Sequence, residues 1–220
     1  MKAALSHDLF QVETGQMPGY GGSQSLYENT KERASGCGIA AAASVILYME
    51  ALESGIFTVS KERFLEKSGE LKKYMPIIPR LGVNSFVLAY GLSRYFKSHR
   101  LLFRAHWKCT AFRKWKAVEK MLRNDIPVIL AIGLNFPKVW GKREVNLYVK
   151  DADSGKKGET TLRKDYSVCG HFVVITAMQG NMLTVSTWGR KYYIKIDEFK
   201  AYVMKYSTHL YSNVLVIRKV

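Results

Sequence analysis

Two residues far apart in the chain, Cys37 and His171, are of the types that together carry out nucleophilic acyl transfer. A thiol that attacks a carbonyl must be ionised, exposed at the edge of a cleft and accompanied by a base. Cys37 follows Ser35-Gly36 and precedes a run of small residues, so we expect it to begin a helix. Unpaired N–H groups and the dipole at a helix N-terminus lower the pKa of a thiol. A buried structural cysteine is the open alternative, because cysteine is among the most buried residue types.

His171 stands at the entrance of a predicted strand, after Cys169-Gly170 and before the apolar run FVVITAM. From the start of a strand, a side chain can point out of the sheet toward a neighbouring helix terminus. A single histidine before a strand is more often structural than catalytic. Its combination with a small-residue helix start at Cys37 favours the catalytic interpretation.

Four motifs occur in a fixed order along about two thirds of the chain. They are SGCGIAAAAS at 35–44, PVILAIG at 127–133, GHFVVITAM at 170–178 and STWG at 186–189. Cys37 and His171 are 134 residues apart (171 − 37 = 134), within the roughly 130 to 150 residues of papain-type enzymes. The pattern resembles the papain-like cysteine peptidase superfamily, in particular the bacterial branch related to the double-glycine leader (bacteriocin-processing) peptidases.

The resemblance implies a catalytic role for three positions. Cys37 would be the nucleophile, and His171 would be the general base and acid. Ser186 would replace the usual Asn or Asp that orients the imidazole, with Thr187 as the neighbouring possibility. A hydroxyl accepts the imidazole N–H, but it carries no charge to stabilise an imidazolium. The resemblance therefore leaves open a catalytically degenerate member of the family.

The resemblance also implies an oxyanion donor and a substrate-binding rim. The usual Gln is missing at the expected offset, and Asn29, eight residues before the nucleophile (37 − 29 = 8), is the preferred amide. Gln24 lies further upstream and would need a looped arm to reach the site. Gly36, Gly170 and Trp188 are predicted to line the substrate site. Trp188 would pack over the histidine contact and keep water off it, although a core aromatic is an equally good interpretation.

The composition of the chain indicates which kinds of partner and cofactor to expect. The 220 residues contain 34 Lys and Arg against 18 Asp and Glu, a formal net charge of +16. This balance favours acidic partners, but the basic residues are dispersed and form no basic tail. We predict a peptide or protein substrate, with acidic residues near the cut as one option, and no specific nucleic acid. Three cysteines without a CxxC pair predict neither a zinc site nor a cofactor.

The expected location is cytoplasmic. The N-terminal segment MKAALSHDLFQVETG does not resemble a secretory signal. No stretch of the sequence approaches the roughly 20 apolar residues of a membrane span. The sequence does not predict an oligomeric state.

The chain is predicted to be a single α+β domain, residues 1–220, with a papain-like fold. Residues 1–36 form an extended arm, 37–125 a mainly helical part and 126–220 a mainly antiparallel β part. The helix from Cys37 is apolar almost all round, which predicts a buried central helix ended by Gly55. Further helices are expected near 60–73, 84–97, 112–123 and from 197, and an exposed hairpin or loop over DADSGKKGETT.

Three functions of different classes follow. The first is a cysteine hydrolase, either a peptidase or an amidase or acyl transferase, that acts through a thiolate–imidazolium pair and a thioester. The second is a catalytically degenerate module that binds peptides without cutting them. The third is a basic polyanion-binding protein, which predicts a steep loss of affinity with salt.

Overall fold

The computed structural model describes residues 2–13, 19–78, 82–108, 113–135, 141, 143–151 and 161–220. The strands are β1 (Lys2–Ala4), β2 (Gln11–Glu13), β3 (Thr58–Ser60), β4 (Phe103–Trp107), β5 (Val128–Ile132), β6 (Val145–Lys150), β7 (Leu162–Val168), β8 (His171–Gln179), β9 (Met182–Thr187), β10 (Arg190–Lys195) and β11 (Val214–Lys219). The α-helices are α1 (Thr30–Ser35), α2 (Cys37–Ser54), α3 (Lys61–Lys72), α4 (Ser85–Ser98), α5 (Lys114–Arg123) and α6 (Ile196–Tyr206), and a 3-10 turn spans Gln24–Leu26.

The predicted α+β class is confirmed, and its main element is a large antiparallel sheet. The strand order is β4-β11-β5-β8-β9-β10-β6-β7, and β1 pairs with the far end of β8. A small parallel pair, β2 and β3, lies apart from this sheet. The central strands β5 and β8 are buried on both faces, which is why each reads as an unbroken apolar run rather than an alternating one.

Helices cover both faces of the sheet. On one face, α2 packs against β8 and α4 against β4, and Ile129 and Val174 point into this core. On the other face, α5 and α6 cover a second core that includes Leu130 and Val173. Adjacent strand residues point to opposite faces, so one short apolar strand can serve both cores.

The central helix α2 begins and ends where the sequence predicts. Cys37 is its first residue, and Gly55 ends it in the left-handed conformation at φ 74°, with its N–H bonded to the carbonyl of Ala51. By length and composition the helix could cross a membrane, but 67% of it is buried inside the protein. A core position accounts for its apolar composition. Helices α3 and α4 also begin as predicted, each capped by a side chain, Ser60 and Asn84 respectively.

The predicted extended arm is more structured than expected. It contributes β1 to the large sheet, β2 to the small pair and α1 directly before α2. Its residues 19–24 follow the hairpin between β9 and β10, where the N–H of Tyr20 donates to the carbonyl of Gly189 at 2.7 Å. The N–H of Gly189 donates in turn to the carbonyl of Gly22 at 3.2 Å. The arm is therefore held by contacts distant in sequence.

Most of the predicted DADSGKKGETT loop lies outside the described residues, as does Cys109. Strand β7 follows that loop and was not predicted, because its burial alternates only weakly.

The junction between α1 and α2 requires a glycine at position 36. A Cβ at Gly36 would lie 2.5 Å from the carbonyl oxygen of Glu32 and 2.5 Å from the ring of Tyr27. We expect Gly36→Ala to lower the free energy of unfolding in urea by about 1–3 kcal/mol, because backbone must shift to relieve the clash. Gly69→Ala, in a helix where the added Cβ meets nothing within 4 Å, should raise it by about 0.5–1 kcal/mol. Equal stability of Gly36→Ala and the wild type would contradict the packing at this junction.

Candidate functional site

Cys37 is held where the start of α2 meets the start of β8. Gly36 precedes the helix and supplies no side-chain cap, so the N–H groups of the first turn remain available to the sulfur. Backbone hydrogen bonds from Cys37, Gly38 and Phe172 lower the pKa of the thiol. Strand β9 pairs with β8 from Val174 onward, which leaves the first residues of β8 open on that side. The sulfur lies beside this unpaired part of β8.

Although Cys37 is only half-buried, desolvation of its sulfur outweighs these hydrogen bonds and raises the pKa of the thiol above the ordinary value. The prediction of a lowered thiol pKa is therefore wrong for the structure as it stands. The helix terminus acts in the expected direction, but removal of water from the thiolate is the larger effect. The raised pKa favours the protonated thiol over the thiolate.

His171 begins β8, and only 8% of it is exposed. Its Nε2 forms a hydrogen bond of 2.7 Å with the hydroxyl of Thr187. Burial lowers the pKa of His171 to about 4, because the interior disfavours the charged ring. The imidazole is consequently neutral at neutral pH, so the site holds an uncharged thiol and an uncharged base.

Thr187, rather than Ser186, is the partner of the histidine. Ser186 points to the other side of β9, where its hydroxyl donates to the carbonyl of Tyr20 at 2.6 Å. Ser186 pairs with Val174, which faces the core of α2. Neighbouring strand residues face opposite ways, so only one of Ser186 and Thr187 can reach His171. The assignment to Ser186 is corrected to the neighbouring possibility.

Trp188 packs against the ring of His171. The two ring centroids are 4.9 Å apart with an interplanar angle of 32°, and Tyr166 and Tyr192 meet the indole edge-on. Trp188 and Gly189 form the two-residue turn between β9 and β10, with φ values of 52° and 70°. Both central residues of a type I′ turn need positive φ, which is rare and costly for a bulky side chain. The turn places the indole over the histidine and helps to exclude water.

Asn29 does not lie at the thiol. Its side-chain oxygen caps α1, accepting from the N–H of Lys31 at 2.9 Å and of Glu32 at 3.4 Å. Gln24 lines the crevice at Cys37 instead, and its Nε2 donates to the carbonyl of Arg33 at 2.7 Å. Of the two amides considered from the sequence, Gln24 and not Asn29 lines the crevice. Sequence distance misled the prediction, because the arm folds back along the β9–β10 hairpin.

The two glycines predicted to bind substrate lie in different surroundings. Gly36 is buried under the ring of Tyr27, so its role is close packing rather than substrate contact. Gly170 is exposed and left-handed at φ 61°, and its N–H donates to the carbonyl of Gly133 at 3.2 Å. Gly170 makes the tight entry into β8 that sets the position of His171.

The site is a nearly closed crevice, with about 10 Å³ open to a water-sized molecule, roughly the space of one water. Cys37 shares it with Thr187 and Trp188, the two residues that contact His171. The remaining lining residues are Gly22, Gln24, Ala40, Ala41, Ser44, Phe172, Val174 and Ser186. The described residues contain no group of three or more metal-binding side chains. The lining supplies a thiol, hydroxyls and a primary amide, and His171 touches two of the lining residues without being one of them.

No protein-family model and no curated protein matches the chain.

The neutral, buried histidine predicts a characteristic pH dependence of stability. The ring takes up a proton near pH 6.5 when unfolded and near pH 4 when folded. Between these values the unfolded state binds more protons, so stability rises with pH and is lost on acidification. The loss should reach about 3 kcal/mol by pH 4. Urea unfolding of the wild type and of His171→Gln, measured from pH 7 to pH 4, isolates this contribution, because the variant should lack it.

His106→Gln is the matched control for this measurement. His106 is only partly buried, and burial and nearby Arg104 lower its pKa. This variant should keep most of the acid-dependent loss seen in the wild type. An unchanged loss in His171→Gln would show that His171 is not buried as a neutral ring.

Proposed function

We propose that this protein is a cysteine hydrolase of papain-like fold that cleaves a peptide or amide bond. The observation that carries the proposal is the position of Cys37. It begins the buried central helix, and its crevice also contains the two residues that hold the ring of His171. Covalent acyl transfer requires a helix-terminal thiol and an oriented imidazole that reaches it, so the proposal requires the ring of His171 to reach the sulfur of Cys37 during the reaction. The predicted cytoplasmic location would keep this thiol reduced.

The proposed reaction proceeds through a thioester. His171 Nε2 is held by Thr187, and its Nδ1 takes the proton of the Cys37 thiol as the sulfur attacks the substrate carbonyl carbon. The negative oxygen that forms accepts from the backbone N–H of Cys37 and from Nε2 of Gln24. His171 returns its proton to the leaving amine as the carbon–nitrogen bond breaks. Water then attacks the thioester, gives its proton to the imidazole and releases the acid, and the thiol is restored.

Deprotonation in this reaction accompanies attack rather than precedes it. Burial raises the pKa of Cys37 and lowers that of His171, so both effects oppose a resting thiolate–imidazolium pair. General-base removal of the proton during attack avoids forming that pair in an empty site. When a substrate is bound, its carbonyl oxygen becomes negative during attack, and the N–H groups at the helix terminus stabilise that oxygen.

Acylation by an activated ester tests the proposal without knowledge of the natural substrate. With p-nitrophenyl acetate, we expect a burst of nitrophenol and an acetyl group on Cys37, detected by peptide mass spectrometry. Cys37→Ala should abolish the burst. His171→Gln should slow acylation by about 10²–10⁴-fold, because the general base is lost.

Cys169→Ala supplies the matched control. Cys169 is exposed and stands two residues before His171, so this change leaves both proposed catalytic groups in place. The burst should persist in this variant. A burst that survives Cys37→Ala, or acetylation that is no faster on Cys37 than on Cys169, would rule out the proposed nucleophile.

The assignment of Gln24 generates a separate test. Gln24→Ala should lower the acylation rate by about 10²–10³-fold, because one of two oxyanion donors is lost. Asn29→Ala should instead lower the free energy of unfolding by about 1 kcal/mol through loss of the α1 cap, with an unchanged acylation rate. The reverse result would return the donor role to Asn29.

Two observations favour a catalytically degenerate binding module as the second candidate. The Gln24 amide is occupied by the carbonyl of Arg33, and the third residue, Thr187, carries no charge. Such a module would form no acyl adduct with activated esters. A peptide identified as a ligand would then bind equally well to the wild type and to Cys37→Ser.

A further inference from the structure

A second group of polar side chains lies around the start of α5 and the turn after α6. Three buried atoms there have no hydrogen-bond partner within the described part of the chain: Nζ of Lys114, Oγ1 of Thr208 and Nδ1 of His209. His209 lies near enough to Lys114 to feel its charge, and Thr208 is the neighbour of His209 in the chain. Buried polar groups in folded proteins almost always have partners, so these unsatisfied atoms require an explanation. None of these residues lines the crevice at Cys37.

Lys114 is the most unusual member of this group. It is the first residue of α5 and is only 3% exposed. Its Nζ lies 5.3 Å from the ring centroid of Trp115 and 5.0 Å from that of Phe199. The faces of these rings attract a cation, but they replace none of its three hydrogen bonds. A buried ammonium in this position still lacks a counter-ion.

The electrostatic field around Lys114 is positive. Burial and the charge of Lys200 lower the pKa of Lys114 to about 8. Burial and the charge of Lys114 lower the pKa of His209. No carboxylate of the described residues contributes to either shift. These groups repel one another, so a bound negative charge would stabilise all of them.

The start of α5 adds to this field. Arg113, at the N-cap position, adopts φ 60° and makes no side-chain capping hydrogen bond. The helix has ten residues, and the positive end of its dipole lies beside Lys114. A helix N-terminus and a buried lysine together form a common anion-binding arrangement.

We propose that Lys114, Thr208 and His209 bind an oxyanion, either a carboxylate or a phosphate. Lys114 and Thr208 would donate to its oxygens, and His209 would donate through Nδ1 in the tautomer that carries the proton there. An oxyanion satisfies all three buried atoms and neutralises the ammonium. The proposal does not depend on the hydrolase activity at Cys37, because it involves different residues.

Titration of the purified protein with inorganic phosphate and, separately, with acetate tests the site. In a buffer free of other oxyanions, one or both anions should bind by calorimetry and raise the melting temperature with concentration. Comparison of the two affinities identifies which oxyanion the site prefers. Lys114→Met should weaken this binding by about tenfold or more, because the charged donor is lost.

Lys116→Met is the matched control, since Lys116 is exposed on the same helix. It should bind the anion as the wild type does. Thr208→Val keeps the lysine and should still weaken binding, which preserves the test if Lys114→Met does not fold. The absence of binding by both anions, or equal affinity in the wild type and Thr208→Val, would overturn the proposal.

Discussion

The contact between the N-terminus of α2 and the first residues of β8 determines the geometry of the whole site. Two small residues make it possible. Gly36 leaves room for the ring of Tyr27, and a Cβ at Gly38 would approach the Phe172 ring to 3.3 Å. With larger residues at these positions, the helix would have to move away from the strand, and Cys37 would lose its hydrogen bond from the N–H of Phe172. The small residues therefore fix how closely α2 packs against the sheet, and this close packing sets the position of the thiol.

The same burial that fixes these residues suppresses their charge. Water is excluded by Trp188 above the imidazole and by the arm along the hairpin, so the structure favours a neutral thiol and a neutral ring. Burial holds these side chains in fixed positions, but it also disfavours their charged forms. A rigid site and a resting thiolate–imidazolium pair are therefore competing requirements here. The uncharged Thr187 is consistent with this balance, since a hydroxyl orients a neutral imidazole without a buried carboxylate.

Much of the fold could be predicted from local sequence signals. The apolar run after Cys37, the capping residues Ser60 and Asn84, and the short apolar strands β5 and β8 each carry enough information by themselves. The three-residue strands β1, β2 and β3 do not, because so short a segment has no measurable period. They exist only through pairing with distant strands.

The sequence predicts which segments of the chain form the candidate site, but not always which residue of a segment faces it. Cys37 and His171 could be found because a helix start and a strand start are local features. The choice between Ser186 and Thr187 depends on which side of β9 faces the histidine, and a shift of one residue reverses the answer. The sequence offers Gln24 as an alternative to Asn29 but cannot decide between them, since the path of the arm is set by backbone hydrogen bonds to the hairpin. The thiol pKa was mispredicted because helix-terminus effects are visible in sequence and burial is not.

The arm and the β9–β10 turn are joined by backbone hydrogen bonds beside the thiol. Gly189 exchanges hydrogen bonds with Tyr20 and Gly22, and the adjacent Trp188 covers His171. Gln24 follows two residues after Gly22, so any displacement of the arm from this turn moves the amide as well. Such a displacement would remove one wall of the crevice and admit water to the imidazole. The packing of the arm on this turn is therefore one of the contacts that keep the crevice closed and the ring of His171 away from water.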